Sequence, residues 1–281
     1  MHDAQGRRLP DYLVVGAQKS GTTSLASYIG AHPGVFCVER EVHYFNRFHD
    51  RGLDWYLAHF APADADAVVG EGTPEYLYED HVAERMAEVV PAARLVAVLR
   101  HPVDRAYSHY WHNRTRGHEP LEFAAALDAE PGRMAAGTTS RERARFAYLD
   151  RGRYVRQLEH LTRWYPREQL HVLLSDDLRK DRAVTMERVY RFLGVADATT
   201  VPAATSAEKN RFVEYRSQRL RPLIRRLPGP AQRVAGRLNV RYTTYPELDP
   251  ALRTELMDRF VDDNRELATW LGRDLTEWSA P

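Results

Sequence analysis

The chain has 281 residues, 43% of them apolar and 28% charged, a composition that excludes a disordered or fibrous protein and suits one large α/β domain. Forty lysines and arginines against 39 acids leave a formal charge of +1, which argues against a protein built to coat nucleic acid. The single cysteine, Cys37, excludes a disulfide within the chain and a thiolate metal cluster.

Taken in chain order, Tyr12–Val15 predicts a buried strand. Residues 23–31 predict a helix that stops near His32-Pro33-Gly34, and Val35–Val38 a short strand. Val68-Val69 is a further strand candidate ending at Gly70, and 82–90 has helical spacing. Leu95–Leu99 is a continuous apolar run of the kind a parallel sheet buries on both faces. Pro102 then suits the first turn of a helix toward Asn113. A helix over 154–165 precedes a strand at Leu170–Leu174. This alternation predicts a parallel sheet with helices on both faces. From Arg211 to Arg241 there are nine arginines and one acid, Glu214; from Glu247 to Glu266 there are seven acids and three arginines. Two solvated helical faces that pair with each other are one reading. An arginine stretch bordering an anionic ligand is the other. Pro228-Gly229-Pro230 divides the arginine stretch into at least two helical pieces.

No run reaches the ~20 apolar residues of a membrane span. The apolar run after the polar first ten residues is too short for a signal peptide, so a cytoplasmic location is expected.

The strongest local signal is Gly16-Ala17-Gln18-Lys19-Ser20-Gly21-Thr22-Thr23, between a predicted strand and a predicted helix. There, backbone amides and the positive end of a helix dipole suit an anion. A nucleotide-triphosphate P-loop places Lys directly after the second Gly. Here Thr22 holds that place and the lysine is Lys19, inside the loop. Arg100 to Ser108 follows the most apolar strand, so Arg100 projects from the strand's C-terminal end and Ser108 lies about two turns into the next helix. An arginine fork and a hydroxyl from two elements suit a second phosphate. The alternative is that Arg100 pairs with Asp104. In Arg40-Glu41-Val42-His43-Tyr44-Phe45, an extended backbone puts Glu41 and His43 on one face. Either is a proton acceptor, unless Glu41 is a surface carboxylate paired with Arg40 or Arg47.

Together these segments resemble the sulfotransferases that use 3′-phosphoadenosine 5′-phosphosulfate (PAPS), the heparan-sulfate type and its bacterial relatives in particular. Residues 10–25 resemble that family's 5′-phosphosulfate loop, 100–108 its 3′-phosphate site, and 40–45 its catalytic-base segment. Glu71-Gly72-Thr73-Pro74-Glu75-Tyr76-Leu77 resembles the next family block, with Gly72 where heparan members often carry lysine. Residues 154–178 and 252–278 are similar to the late pieces of the family. The resemblance implies a single domain over 1–281 with a three-layer, P-loop-like α/β fold. It also implies sulfuryl transfer from PAPS, without a metal, to a hydroxyl, or less readily an amine, of a small-molecule, glycan or glycolipid acceptor. It implies Glu41 as base, His43 as its support or a substrate contact, and Lys19 as stabiliser of the leaving phosphate. Gln18, Lys19, Ser20, Gly21, Thr22, Thr23, Arg100, Ser108 and, in a late loop 209–211, Arg211 would hold the donor. No nucleic-acid partner and no integral membrane segment are implied. A P-loop kinase and a non-catalytic PAPS- or nucleotide-binding protein are the competing readings. His109 and His112, three apart, have no further metal ligand at suitable spacing. Tyr44, Phe45, Trp55, Tyr56, Tyr76 and Tyr78 suit either core or an acceptor pocket.

Overall fold

The computed structural model describes residues 2–3, 5–202, 212–215, 220–224, 226, 228–238, 240–243 and 245–278. In chain order come β1 (Tyr12–Gly16), α1 (Thr22–Ile29), β2 (Val35–Cys37), α2 (Leu53–Leu57), β3 (Val68–Gly72), α3 (Asp80–Val89), β4 (Arg94–Leu99) and α4 (Pro102–Thr115). Then follow α5 (Phe123–Asp128), α6 (Glu130–Ala136), α7 (Ser140–Arg145), α8 (Tyr154–Thr162), β5 (Leu170–Leu174), α9 (Ser175–Lys180) and α10 (Arg182–Leu193). The last are β6 (Phe212–Tyr215), α11 (Arg221–Ile224), α12 (Gly229–Leu238), β7 (Val240–Thr243), α13 (Pro250–Asp258) and α14 (Val261–Leu271).

β1 to β5 form one parallel sheet in the order β2-β3-β1-β4-β5. β1 and Leu95–Leu99 of β4 are buried at every position because both faces of the sheet are covered. Alternation along a strand then divides the core in two. Leu13, Val15, Leu95, Ala97 and Leu99 point to one side, where they pack with Met86 of α3, Leu158 and Leu161 of α8 and Leu267 of α14. Tyr12, Val14, Val96 and Val98 point to the other, onto Leu25 and Ile29 of α1 and Met186, Val189 and Leu193 of α10. The three-layer fold read from the strand-helix alternation is the one observed.

A third core joins Val103, Ala106 and Tyr110 of α4 to Phe123 and Leu127 of α5 and to Leu256, Met257 and Phe260 at the end of α13. It fixes α4 beyond the C-terminal edge of the sheet. That edge is where the loop after β1 and the residue after β4 come together, since β1 and β4 are neighbours with Gly16 opposite Ala97.

One predicted feature needs correction. The arginine-rich stretch does contain two helices, α11 and α12, but β6 and β7 enclose them as an antiparallel pair with Phe212 opposite Thr243. Four-residue strands are too short for alternation to stand out against a run of arginines. Among the described residues, Glu255 pairs with Arg259 and Asp262 with Arg265 at 2.5 Å each, and Arg253 reaches Asp104 of α4 at 2.7 Å. No helix among the described residues is long and apolar enough to cross a membrane.

Candidate active site

The loop from Gly16 to Thr23 leaves β1 at the sheet edge and enters α1. Gly16 is required by close approach: a Cβ there would lie 2.6 Å from the Cβ of Leu77, which ends the Glu71–Leu77 block. Gly21 is the N-cap residue of α1 at φ 100, a left-handed conformation that glycine adopts without strain, and no side chain caps the helix. The first amides of α1 therefore point to the loop's concave side, with Thr22 and Thr23 in the first turn.

Lys19, at φ 72, turns its side chain across the edge toward α4, where Nζ lies 3.5 Å from Nδ1 of His112. Ser108 is four residues before His112 and shares its stripe of α4. Arg100 follows β4 directly; its Nη1 donates to the Lys19 carbonyl at 3.5 Å, and its own carbonyl accepts from the Tyr154 hydroxyl at 2.7 Å. Asp104 is held by Arg253 rather than Arg100.

Burial pushes the Lys19 ammonium down to about 8; the charges of Arg116, Arg100 and Arg105 push the same way, and Glu41 opposes them. Burial, Lys19 and Arg116 hold His112 down to about 3. Buried Arg105 of α4 is itself pushed down to about 10. Burial and the charges of Arg105 and Arg151 also hold His109 well below the usual imidazole range. These cations thus disfavour one another's charge. A bound polyanion would reverse that.

Across from them lies the segment containing Glu41 and His43. It is not the extended strand predicted from sequence. His43 sits at φ 57 in a turn, and its backbone amide donates to Thr73 Oγ1 at 3.2 Å. The turn nevertheless brings the pair together, Glu41 Oε2 standing 3.0 Å from His43 Nε2. The Glu41 side chain is 45% exposed, so it can meet an incoming acceptor. Arg47 pairs with Glu75 and not with Glu41, and Arg40 faces His59.

Glu75 is the organising residue that the sequence reading did not single out. One carboxylate oxygen accepts from Gln18 of the Gly16–Thr23 loop at 3.3 Å. The other takes hydrogen bonds from Arg47 and, at 3.2 Å, from Asn46, and lies 3.7 Å from His43 Nδ1. Burial alone would raise its proton affinity, but Arg151, Arg47 and His43 outweigh it and hold Glu75 below the usual carboxylate range. Arg151 donates to Gln18 Oε1 at 2.8 Å and stacks over the Tyr78 ring at 4.6 Å. A single polar chain therefore links the Gly16–Thr23 loop and the Glu41–His43 segment. Its only trace in the sequence is Glu75's place four residues after Glu71 in a block already noted. Glu71 lies deeper: burial pushes it up to about 7, hydrogen bonds from Thr73 and Tyr76 restraining the rise. Thr73 Oγ donates to it at 2.7 Å, so Glu71 supports the hydroxyl that fixes His43.

Asn46 also donates to Glu79 at 2.7 Å. Glu79 lines a groove of about 780 Å³ with Tyr78, Asp150, Arg156, His160 and Arg163. Of the aromatic set, Tyr44, Phe45, Tyr56 and Tyr76 are core, with Tyr44 stacked on Tyr56 at 4.4 Å. Tyr78 alone of the set lines the groove. The structure thus brings Gln18, Lys19, Ser20, Gly21, Thr22, Thr23, Arg100 and Ser108 to one edge with Glu41 and His43 opposite. Arg211 lies outside the described residues.

The fold and site present a cluster of cations at this sheet edge with an acid–imidazole pair facing it. The chain belongs to the sulfotransferase family, whose sulfotransferase domain model matches residues 9–220. It is 31% identical to human bifunctional heparan sulfate N-deacetylase/N-sulfotransferase 2 over 95% of its own length and 30% of that protein's. The Drosophila melanogaster bifunctional heparan sulfate N-deacetylase/N-sulfotransferase is 30% identical over 66% of the chain and 20% of that protein. The chain spans less than a third of the length of these relatives. A sulfotransferase crystal structure from Alicyclobacillus acidocaldarius superposes with a TM-score of 0.75 at 25% identity, covering 97% of this chain and all of that one.

Proposed function

We propose that residues 1–281 act as one sulfotransferase domain that moves the sulfuryl group of PAPS to a hydroxyl of a small-molecule, glycan or glycolipid acceptor by in-line displacement. The observation that carries this reading is the set of mutually opposed cations around Lys19, facing the Glu41–His43 pair. PAPS has two separated anionic ends. The loop and Lys19 suit the 5′-phosphosulfate; Arg100 and Ser108 suit the 3′-phosphate.

In the step itself, Glu41 takes the acceptor's proton as the hydroxyl oxygen attacks sulfur. A new S–O bond forms while the bond from sulfur to the bridging phosphate oxygen breaks. The electron pair stays on that phosphate oxygen, and 3′-phosphoadenosine 5′-phosphate leaves. Lys19 neutralises the charge that grows there, an interaction worth most where charge develops. His43 orients Glu41, and Glu75 holds His43 relative to the donor loop. The groove, with charges of both signs in its lining, suits a polar acceptor of sugar size. The named relatives are N-sulfotransferases, which makes an amine acceptor the second reading. A hydroxyl and an amine each release one proton to the same base.

The donor assignment is tested by calorimetry with 3′-phosphoadenosine 5′-phosphate against adenosine 5′-diphosphate. Strong preference for the former, reduced selectively in Arg100→Ala, is the expected result. Equal affinity for the two would remove the 3′-phosphate site from Arg100 and Ser108.

A further inference from the structure

Arg100 is followed by His101-Pro102, and that dipeptide constrains where the arginine can point. Proline disfavours the helical region for the residue before it. His101 accordingly stands at ψ 121, and α4 begins only at Pro102. His101 is thus the N-cap residue of α4, yet its side chain caps nothing. Its ring goes instead to the turn Thr276–Trp278, where Nε2 lies 2.9 Å from the Trp278 carbonyl. A carbonyl only accepts, so Nε2 carries the proton. Burial holds this imidazole below its usual range, against the pull of Asp104, which keeps the ring neutral.

The turn that His101 meets is itself anchored from two other elements. Asn264 of α14 donates to the same Trp278 carbonyl at 3.5 Å. Lys180 of α9 pairs with Glu277 at 2.9 Å, and Asp177 of α9 pairs with Arg273. The Trp278 ring is 3% exposed and lies 6.0 Å from the His101 ring and 6.3 Å from the Tyr154 ring, centroid to centroid. Tyr154 in turn donates to the Arg100 carbonyl at 2.7 Å. One buried indole therefore backs both side chains that tie down the Arg100–His101 peptide.

The side chain so directed is poorly occupied at its head. Arg100 Nε is buried and has no hydrogen-bond partner among the described residues, and Nη1 reaches the Lys19 carbonyl only at 3.5 Å. Asp104, the acid nearest in sequence, is taken by Arg253 at 2.7 Å. A guanidinium fixed at its backbone and left without an acid at its head is preorganised for an anion, because less freedom is lost when the anion binds.

We propose that His101, latched to the Trp278 carbonyl, is a positioning residue for donor recognition: it aims Arg100 at the 3′-phosphate without touching the ligand. The proposal rests on the assignment of Arg100 to that phosphate. The test is calorimetry of the full chain with 3′-phosphoadenosine 5′-phosphate and with adenosine 5′-diphosphate, alongside unfolding temperatures. His101→Phe keeps a ring and removes the N–H donor. It should weaken 3′-phosphoadenosine 5′-phosphate about tenfold, the scale of one impaired charge-assisted hydrogen bond, and leave adenosine 5′-diphosphate unchanged. His101→Gln, which can still donate, should recover most of the loss. In an Arg100→Ala background His101→Phe should cost nothing further, since the side chain it aims is gone. An equal loss for both ligands would make the latch a matter of fold stability and overturn the proposal. So would an unchanged preference in His101→Phe, a full additional loss in the Arg100→Ala background, or His101→Gln binding no better than His101→Phe. A wild-type chain that binds the two ligands equally would overturn the 3′-phosphate assignment itself, and the proposal with it.

Discussion

Lys19 offers the sharpest test of the site, because its proton and the donor's charge are coupled. The fall from 10.5 to about 8 corresponds to about 3 kcal/mol by which the empty site disfavours the ammonium. A ligand phosphate beside Nζ replaces that penalty with attraction, so donor affinity should depend on Lys19 being protonated. Below about pH 8 the free site already holds the proton. Above it, binding must take one up, and affinity should fall about tenfold per pH unit until the raised pKa of the complex is reached. Calorimetry with 3′-phosphoadenosine 5′-phosphate between pH 7 and pH 9.5 reads this, above the range where the ligand's own phosphates titrate near pH ~6. Lys19→Ala should bind on the order of 10²-fold more weakly at pH 7, the equivalent of about 3 kcal/mol, and its affinity should no longer change across that range. A wild-type affinity that stays level to pH 9.5, or an equal slope in Lys19→Ala, would refute the coupling.

Glu41→Gln keeps the shape of the base without its basicity and should lower kcat by roughly 10²–10⁴-fold with donor affinity unchanged. Normal turnover in that variant, with none in His43→Ala, would make the imidazole the base. Glu75→Gln should lower kcat on the order of 10²-fold by loosening the segment it positions, and should weaken donor binding because Gln18 loses its partner; Glu75→Asp should restore part of both. An effect on the unfolding temperature alone would reduce Glu75 to a structural role. Turnover should persist in EDTA, because Lys19 and Arg100 supply the positive charge that magnesium supplies to a P-loop with a lysine at position 22; a strict magnesium requirement would favour kinase chemistry.

The parallel sheet was legible because its strands are short apolar runs between glycines and helical patterns. β4 and β5 fall within a residue of where the apolar runs place them, and the Lys19 loop lies at the end of β1 as its glycines imply. Local chemistry also pointed to the loop and the arginine that share the sheet edge, since a loop between strand and helix and an arginine after a strand carry their geometry with them. What the sequence could not supply was the relation between segments distant in the chain. The helices over 123–145 went unpredicted because their patterns are only six or seven residues long. Glu41 and His43 meet through a left-handed turn at His43, not through the two-residue period of a strand. Glu75, Arg151 and Gln18 form one hydrogen-bonded chain only because β1, β3 and the residues before α8 converge beyond the sheet edge. The shift of Lys19 is likewise tertiary: it arises from burial and from arginines on α4 and after β4. A sequence specifies which charges exist, but the dielectric and the distances that decide how strongly they act are set only when the chain is folded.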